Sequence, residues 1–287
     1  MSSSSKNIRF GGSHLEIKKF NISEMADHCT IAMIAKRASG KSYLTREIMY
    51  HKRSLPSVIA ISRTEKLNCF YGDFIPQSFI FQEYHSDILK KIYQRQEAMN
   101  EDNAKRKKDN KNEKDDRLMI IMDDCLSSKG LWLRDPNILE LFYNGRHHHL
   151  SFILTMQFSL GIPPELRSNF DYIFLLGEDF ATNRKRLYDH YASMFPTLSI
   201  FETVFAELTE DFGCMVINNR IHSKNITDKV FWYKAKETPD FKVGSKKFLT
   251  FHKKSFDEGW NKKPDVFDIN DFAKKKNVVK IIVDKIR

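Results

Sequence analysis

Apolar and polar positions follow two rhythms along this chain. Short runs are apolar almost without a break: Ile31-Ala32-Met33-Ile34, Val58-Ile59-Ala60-Ile61, Leu118-Met119-Ile120-Ile121-Met122, Phe152-Ile153-Leu154 and Tyr172-Ile173-Phe174-Leu175-Leu176. Such runs fit strands covered on both faces, as in a parallel sheet flanked by helices. Between them lie stretches that read as helices, over Tyr43–Tyr50, His85–Met99, Pro136–Asn144, Asn183–Phe195 and Ile200–Leu208. Pro196 is expected to stop the fourth of these. Cys214–Ile217 and Val230–Tyr233 read as a closing antiparallel pair, and Ser78–Phe81 as a short strand after a loop with buried aromatics at 68–76.

The pattern divides the chain into an N-terminal arm (1–20), a central domain (21–233) and a C-terminal extension (234–287). The lead to Phe20 is polar, carries Gly11-Gly12, and predicts a loose arm or an edge segment. Residues 101–117 hold 7 basic and 6 acidic side chains and almost no apolar ones. That balance predicts a solvated helix extension or a mobile insertion, not a nucleic-acid patch.

Composition narrows the classes. With 287 residues, 41% apolar and 29% charged, the chain has the make-up of a soluble α/β protein of one large or two small domains. No apolar run approaches the roughly 20 residues of a membrane span, and the Ser-rich start lacks a signal-peptide core, so a cytosol-like compartment is expected. Cys29, Cys69, Cys125 and Cys214 show no metal-ligand spacing and read as reduced, buried thiols. The net charge is +10, and residues 234–287 alone carry 15 Lys/Arg against 8 Asp/Glu, a net +7. Such a tail suits either a polyanion partner or a solvated lysine-rich surface.

The chemistry begins after the first buried run. Ala35, Lys36, Arg37, Ala38, Ser39, Gly40, Lys41, Ser42 and Tyr43 lead from strand to helix, and a loop ending Gly-Lys-Ser cradles phosphates. Backbone N–H groups and the positive end of the helix face the β-phosphate, Lys41 reaches the β/γ oxygens, and Ser42 ligates Mg2+. Ala35 stands where Gly is usual; at a positive φ it would cost about 1 kcal/mol and weaken nucleotide affinity. Asp123 and Asp124 end the third run, at the edge of an α/β sheet where ligands bind. Asp123 is expected to hold the Mg2+ shell and Asp124 to orient and deprotonate a water. Gln157 ends the fourth strand with an amide able to sense a γ-phosphate. His147, His148 and His149 are adjacent and share neither a helix nor a strand face, so one metal held by all three is not expected.

Taken together, the Ser-Gly-Lys-Ser loop, Asp123-Asp124, Gly145-Arg146-His147, Gln157 and Pro163-Pro164-Glu165-Leu166-Arg167-Ser168-Asn169-Phe170-Asp171-Tyr172 resemble the genome-packaging ATPases of large cytoplasmic DNA viruses, a branch of the FtsK–HerA superfamily. The resemblance runs from about Thr30 to Trp232. It implies a RecA-like (ASCE) P-loop ATPase: a mainly parallel sheet flanked by helices, with ATP and Mg2+ as cofactors. It further implies a hexameric or pentameric ring, double-stranded DNA held through its phosphates, a capsid or vertex protein as partner, and residence in the viral factory of the host cytoplasm or in the virion. Arg146 falls where relatives place an arginine that reaches the neighbour's γ-phosphate, with Arg167 as second candidate. Asp124 stands where many superfamily members carry Glu. The alternatives are a helicase or DNA-segregation pump of the same superfamily, a nucleoside or nucleotide kinase, and a structural protein with an inactive P-loop. A pump of that kind usually carries extra domains not visible here, and a kinase needs an arginine-rich lid.

Overall fold

The computed structural model describes residues 5–10, 13–125, 132, 134–157 and 161–257. Gly11-Gly12 and the extension beyond residue 257 lie outside the described residues. The chain opens with an antiparallel hairpin of β1 (Ser5–Phe10) and β2 (Ser13–Lys18). Ile8 and Ile17 are buried, and Phe20 N–H donates to Trp232 O at 2.9 Å. The N-terminal lead is therefore a packed edge segment and not a loose arm.

The main sheet runs in the order β10-β9-β8-β3-β7-β6-β4-β5. Its parallel part comprises β3 (Thr30–Ile34), β4 (Ser57–Ser62), β5 (Ile80–Phe81), β6 (Leu118–Asp123), β7 (Leu150–Met156) and β8 (Tyr172–Leu176). Strand β9 (Gly213–Asn218) pairs antiparallel with β8, and β10 (Val230–Lys234) antiparallel with β9.

Period-two geometry explains why the runs had to be continuous. Along β6, Leu118, Ile120 and Met122 enter one core while Met119 and Ile121 enter the other. The second core receives Leu44, Ile48 and Met49 of α1 (Lys41–His51). The first is closed by α2 (Ser86–Lys108), α3 (Pro136–Asn144), α4 (Ala181–Tyr191) and α5 (Leu198–Thr209). A further helix, α6 (Lys246–Ser255), follows the sheet. Gly213 is required where α5 turns into β9, because a Cβ there would lie 2.3 Å from Leu208 O.

Several boundaries differ from the sequence pattern. Helix α2 continues nine residues past Met99, so the charged stretch begins as a helix extension, and the chain then returns beside it. The return is tied by Asn103, whose side chain donates to Lys114 O at 2.9 Å and accepts from Lys114 N–H at 2.8 Å. Helix α4 starts and stops earlier than Asn183–Phe195, at Ala181 and Tyr191, since Phe195 leaves the helix to fill the core. Of the cysteines, Cys29, Cys125 and Cys214 are buried as expected, but Cys69 is exposed.

Candidate nucleotide site

Register sets the site. Ser62 pairs with Asp123, Asp123 with Thr155, and Ile34 with Met156, so the carboxyl ends of β4, β6, β7 and β3 finish level. The lysine loop starts one residue beyond that line. Ala35 N–H donates to Met156 O at 3.0 Å, which continues the β3 ladder, and Ala35 is 2% exposed. The left-handed backbone falls instead at Ala38 (φ 59°) and Gly40 (φ 94°). The strain anticipated at Ala35 thus sits at Ala38, where a Cβ in that conformation costs about 1 kcal/mol. Gly40 caps α1 without a side chain, so the first N–H groups of the helix are left for a ligand.

Behind the loop stands a buried acid network. Lys41 Nζ lies 3.3 Å from Asp123 Oδ1. The Thr155 hydroxyl donates to Asp123 Oδ1 at 2.5 Å, and Ser62 Oγ donates to Asp123 Oδ2 at 3.2 Å. Asp124 N–H in turn donates to Thr155 Oγ1 at 3.1 Å, so one hydroxyl links the two aspartates. Asp124 adopts φ 54°, which turns its side chain out of the strand direction, and the Gln157 amide donates to its carboxylate. Tyr71 is buried against Asp123: burial first, then the Asp123 charge, push its phenol well above the usual tyrosine value, so it remains a neutral donor. Burial likewise pushes the Cys125 thiol up to about 12, leaving it unreactive.

The loop, Asp124 and Gln157 line one cavity of about 900 Å³, bounded on the far side by Phe212, Lys234 and Glu237. Glu47 fixes that far wall to α1, accepting from Tyr233 OH at 2.7 Å and from Lys236 N–H at 2.9 Å. A second hollow of about 1060 Å³ adjoins the loop, but its five acidic side chains, Glu178, Asp179, Glu202, Glu207 and Glu210, outnumber the basic Arg9, Lys36 and Arg184, and Asp179 and Glu202 already engage Lys36 and Arg184, so its lining suits phosphate less well. The residues present fit a magnesium nucleotide in the first cavity: a buried carboxylate beside a lysine, the Ser42 hydroxyl on the wall, and a helix start with open N–H groups. Ser42 and Asp123 would hold the metal, with water completing its shell.

Other expected residues lie elsewhere. Arg146 sits in the short turn Gly145–His148 that precedes β7, at the opposite end of that strand from Gln157. Arg167 is held within its own chain: its Nε donates to Ile162 O at 2.9 Å and its guanidinium lies over the Tyr191 ring. His148 meets Glu140 at 3.1 Å and His149 meets Asp116 at 2.8 Å, so the adjacent histidines diverge. Thr155, Ser62 and Tyr71 escaped the sequence reading. Thr155 carried one signal, since it lies two residues before Gln157 and thus on the same side of β7.

A level-ended parallel sheet with a lysine loop after β3 and paired aspartates at the end of β6 defines the RecA-like P-loop class. No protein-family model matches the chain. The chain belongs to a viral protein family that includes the uncharacterized protein L437 of Acanthamoeba polyphaga mimivirus and the uncharacterized protein 088R of Invertebrate iridescent virus 3. The first is 46% identical over 241 residues, covering 84% of each chain. The second is 37% identical over 206 residues, covering 71% of this chain and 75% of the relative.

Among solved structures, the genome packaging NTPase B204 of Sulfolobus turreted icosahedral virus 2, in complex with sulfate, superposes with a TM-score of 0.51 at 15% identity, over 75% of this chain and all of that one. B204 of Sulfolobus turreted icosahedral virus, described as a DNA-packaging ATPase, gives 0.50 at 14% identity, over 74% of this chain. The shared element is the fold, a mostly parallel α/β sheet. No helix among the described residues is long and apolar enough to cross a membrane.

Proposed function

We propose that this chain is a Mg-ATP-dependent motor that moves double-stranded DNA into a preformed viral capsid. The observation that carries the reading is the meeting of Lys41 with Asp123, and of Gln157 with Asp124, around one cavity at the level edge of the sheet. The viral family and the fold shared with a packaging NTPase support it.

Each side chain then has one task. Lys41 and the N–H groups of α1 neutralise the β- and γ-phosphates, while Asp123, oriented by the Thr155 and Ser62 hydroxyls, would hold Mg2+ together with Ser42. A Mg2+ held by Ser42 and Asp123 would supply positive charge to offset the charge developing on the transferred phosphoryl group. Asp124, held by Gln157, orients the attacking water and accepts its proton. The Gln157 amide couples that carboxylate to the end of β7, so a change at the γ-phosphate reaches the strand.

Active assemblies are rings in which one copy's amino edge meets the next copy's cavity, with Arg146 acting across the boundary. DNA is gripped through phosphates, hence without sequence preference and with steep salt dependence. The basic C-terminal extension binds DNA or the capsid vertex, and the protein works in the viral factory or in the virion.

The test is ATP hydrolysis with and without long duplex DNA, with Lys41→Ala and Asp124→Asn as controls. Hydrolysis stimulated by DNA and abolished in both variants is expected. Transfer of phosphate to a small acceptor, or turnover indifferent to both substitutions, would sink the motor reading.

A further inference from the structure

At the amino edge of the sheet, four neighbouring strands bring together groups that the nucleotide cavity does not use. Asp171, just before β8, is 7% exposed in its side chain. Its Oδ2 accepts from Thr30 N–H at 2.9 Å and from the Thr30 hydroxyl at 3.2 Å. Its Oδ1 accepts from Arg146 Nη2 at 3.3 Å and from Arg220 Nη1 at 3.2 Å. Arg146 enters β7, Thr30 begins β3, and Arg220 follows β9, whose antiparallel course carries its end back to this edge. The turn bearing Arg220 is fixed: Asn219 N–H donates to Asp171 O at 2.8 Å, and Arg220 N–H to Asn218 Oδ1 at 3.1 Å.

Charge does not close here. One carboxylate holds two guanidiniums, each through a single nitrogen, and the two arginine side chains remain 54% and 42% exposed. They border a hollow of about 320 Å³ that His222 and Asn169 also line. A guanidinium has five N–H donors in a planar fork, so most of both forks is left for an outside acceptor. The buried Asp171 cannot leave, and it fixes where those forks point.

We propose that Arg146 and Arg220, seated together on Asp171, form one phosphoryl-binding site that the terminal phosphate of a neighbouring copy's nucleotide fills. This rests on the ATPase reading above and adds to it a second arginine and the carboxylate that aims the pair. Their own chain's nucleotide is out of reach, because the seven residues of β7 separate Arg146 from Gln157 by about 20 Å. Duplex DNA is a poorer match: two guanidiniums converging on one oxygen suit a single compact anion, whereas a DNA backbone needs cations spread along it. The site is also wired inward. Thr30, which anchors Asp171, opens the five-residue strand β3 that ends at the lysine loop. Filling the arginine pair thus pulls on the strand that positions the receiving copy's own phosphate loop.

The test uses the full chain and mixed assemblies. Arg220→Ala is expected to lower kcat about 10²-fold with nucleotide affinity unchanged, since its own cavity is intact, and Arg220→Lys to recover part of it. Asp171→Asn keeps both arginines and is expected to lower kcat without moving the dissociation constant for ATP. Mixing Arg220→Ala with Lys41→Ala, each strongly impaired alone, should raise turnover above the sum of the two, because interfaces form that combine an intact cavity with an intact arginine pair. Independently of turnover, ADP with aluminium fluoride should drive the wild type into larger species by sedimentation, and should fail to do so for Arg220→Ala. Wild-type turnover in the Arg220→Ala variant, or mixtures that do not exceed that sum, overturn the shared site while leaving the ATPase standing. Normal assembly and turnover of Arg220→Ala with weakened duplex binding assign the pair to DNA and also overturn it. A wild type that neither binds nor hydrolyses ATP removes the underlying reading, and the inference falls with it.

Discussion

At the carboxyl edge of the sheet, Lys41 and Asp123 are largely buried and satisfy one another, with the Thr155 and Ser62 hydroxyls donating to Asp123 and Tyr71 buried beside it. At the amino edge the arrangement is reversed: the carboxylate of Asp171 is buried, and the cations it holds stand in solvent. Both edges pair a carboxylate directly with basic side chains, and in both a Thr also donates to that carboxylate. What differs is which partner is left accessible, and that decides what each edge can do. A lysine that faces inward with its acid builds a site within one molecule; arginines that face outward on a fixed acid keep their remaining donors in solvent.

Substitutions at the two edges should therefore separate cleanly. The largest effect is expected from Lys41→Ala, with turnover reduced about 10³-fold and nucleotide binding lost in a fluorescence titration; Arg146→Ala should match the kinetic loss while binding survives. Equal loss of binding in both would erase the distinction between edges. Next, Asp171→Ala should lower stability by about 3 kcal/mol in urea denaturation, because the Thr30 donors and two guanidiniums lose their acceptor. Thr155→Val keeps shape but leaves the Asp124 N–H unpaired, and about 1–2 kcal/mol of destabilisation is expected, with kcat falling and Lys41-dependent binding retained. An unchanged kcat would show that the bridge between the aspartates is not needed for positioning.

The smallest effect concerns pH. The Arg117 guanidinium, hydrogen-bonded to Asp115 at 2.8 Å, holds that carboxyl below the usual aspartate value. Because the folded-state value is the lower one, the unfolded chain takes up the proton first as pH falls. The stabilisation is complete above about pH 4, the ordinary aspartate range, and is lost as pH drops through the folded-state value. Asp115→Asn should lower the melting temperature only slightly at pH 7, by less than about 1 kcal/mol in stability, and the two proteins should converge in acid. Curves that stay parallel to pH 3 would contradict the pairing.

Much of the carboxyl edge was legible in the sequence because its residues cluster beside unbroken apolar runs. Asp123 and Asp124 follow Met122 directly, Gln157 follows Met156, and the loop follows Ile34, so one rule about strand ends located them all. Thr155 was hidden by that rule: flanked by Leu154 and Met156, it read as one more position of a buried run. At the amino edge only Arg146 stood out. Arg220 is 49 residues from Asp171, and their meeting depends on the antiparallel turn of β9 back along β8, which no local pattern encodes. Helix α2 was cut short because its outer turns lack apolar residues; backbone hydrogen bonds and the Asn103 tie to Lys114 sustain it instead.

Among the described residues, neither margin of the sheet offers a long free ladder. On one side β5 is two residues long, and on the other the backbone of Trp232 already bonds to Phe20, with the hairpin packed beyond it. Short or covered edges of this kind discourage recruitment of a further strand. Any copies of this chain that associate are left side chains and loops to do so, contacts that can shift by a residue or a turn without tearing a backbone ribbon. A joint of that sort tolerates repeated sliding, which a continuous intermolecular sheet does not.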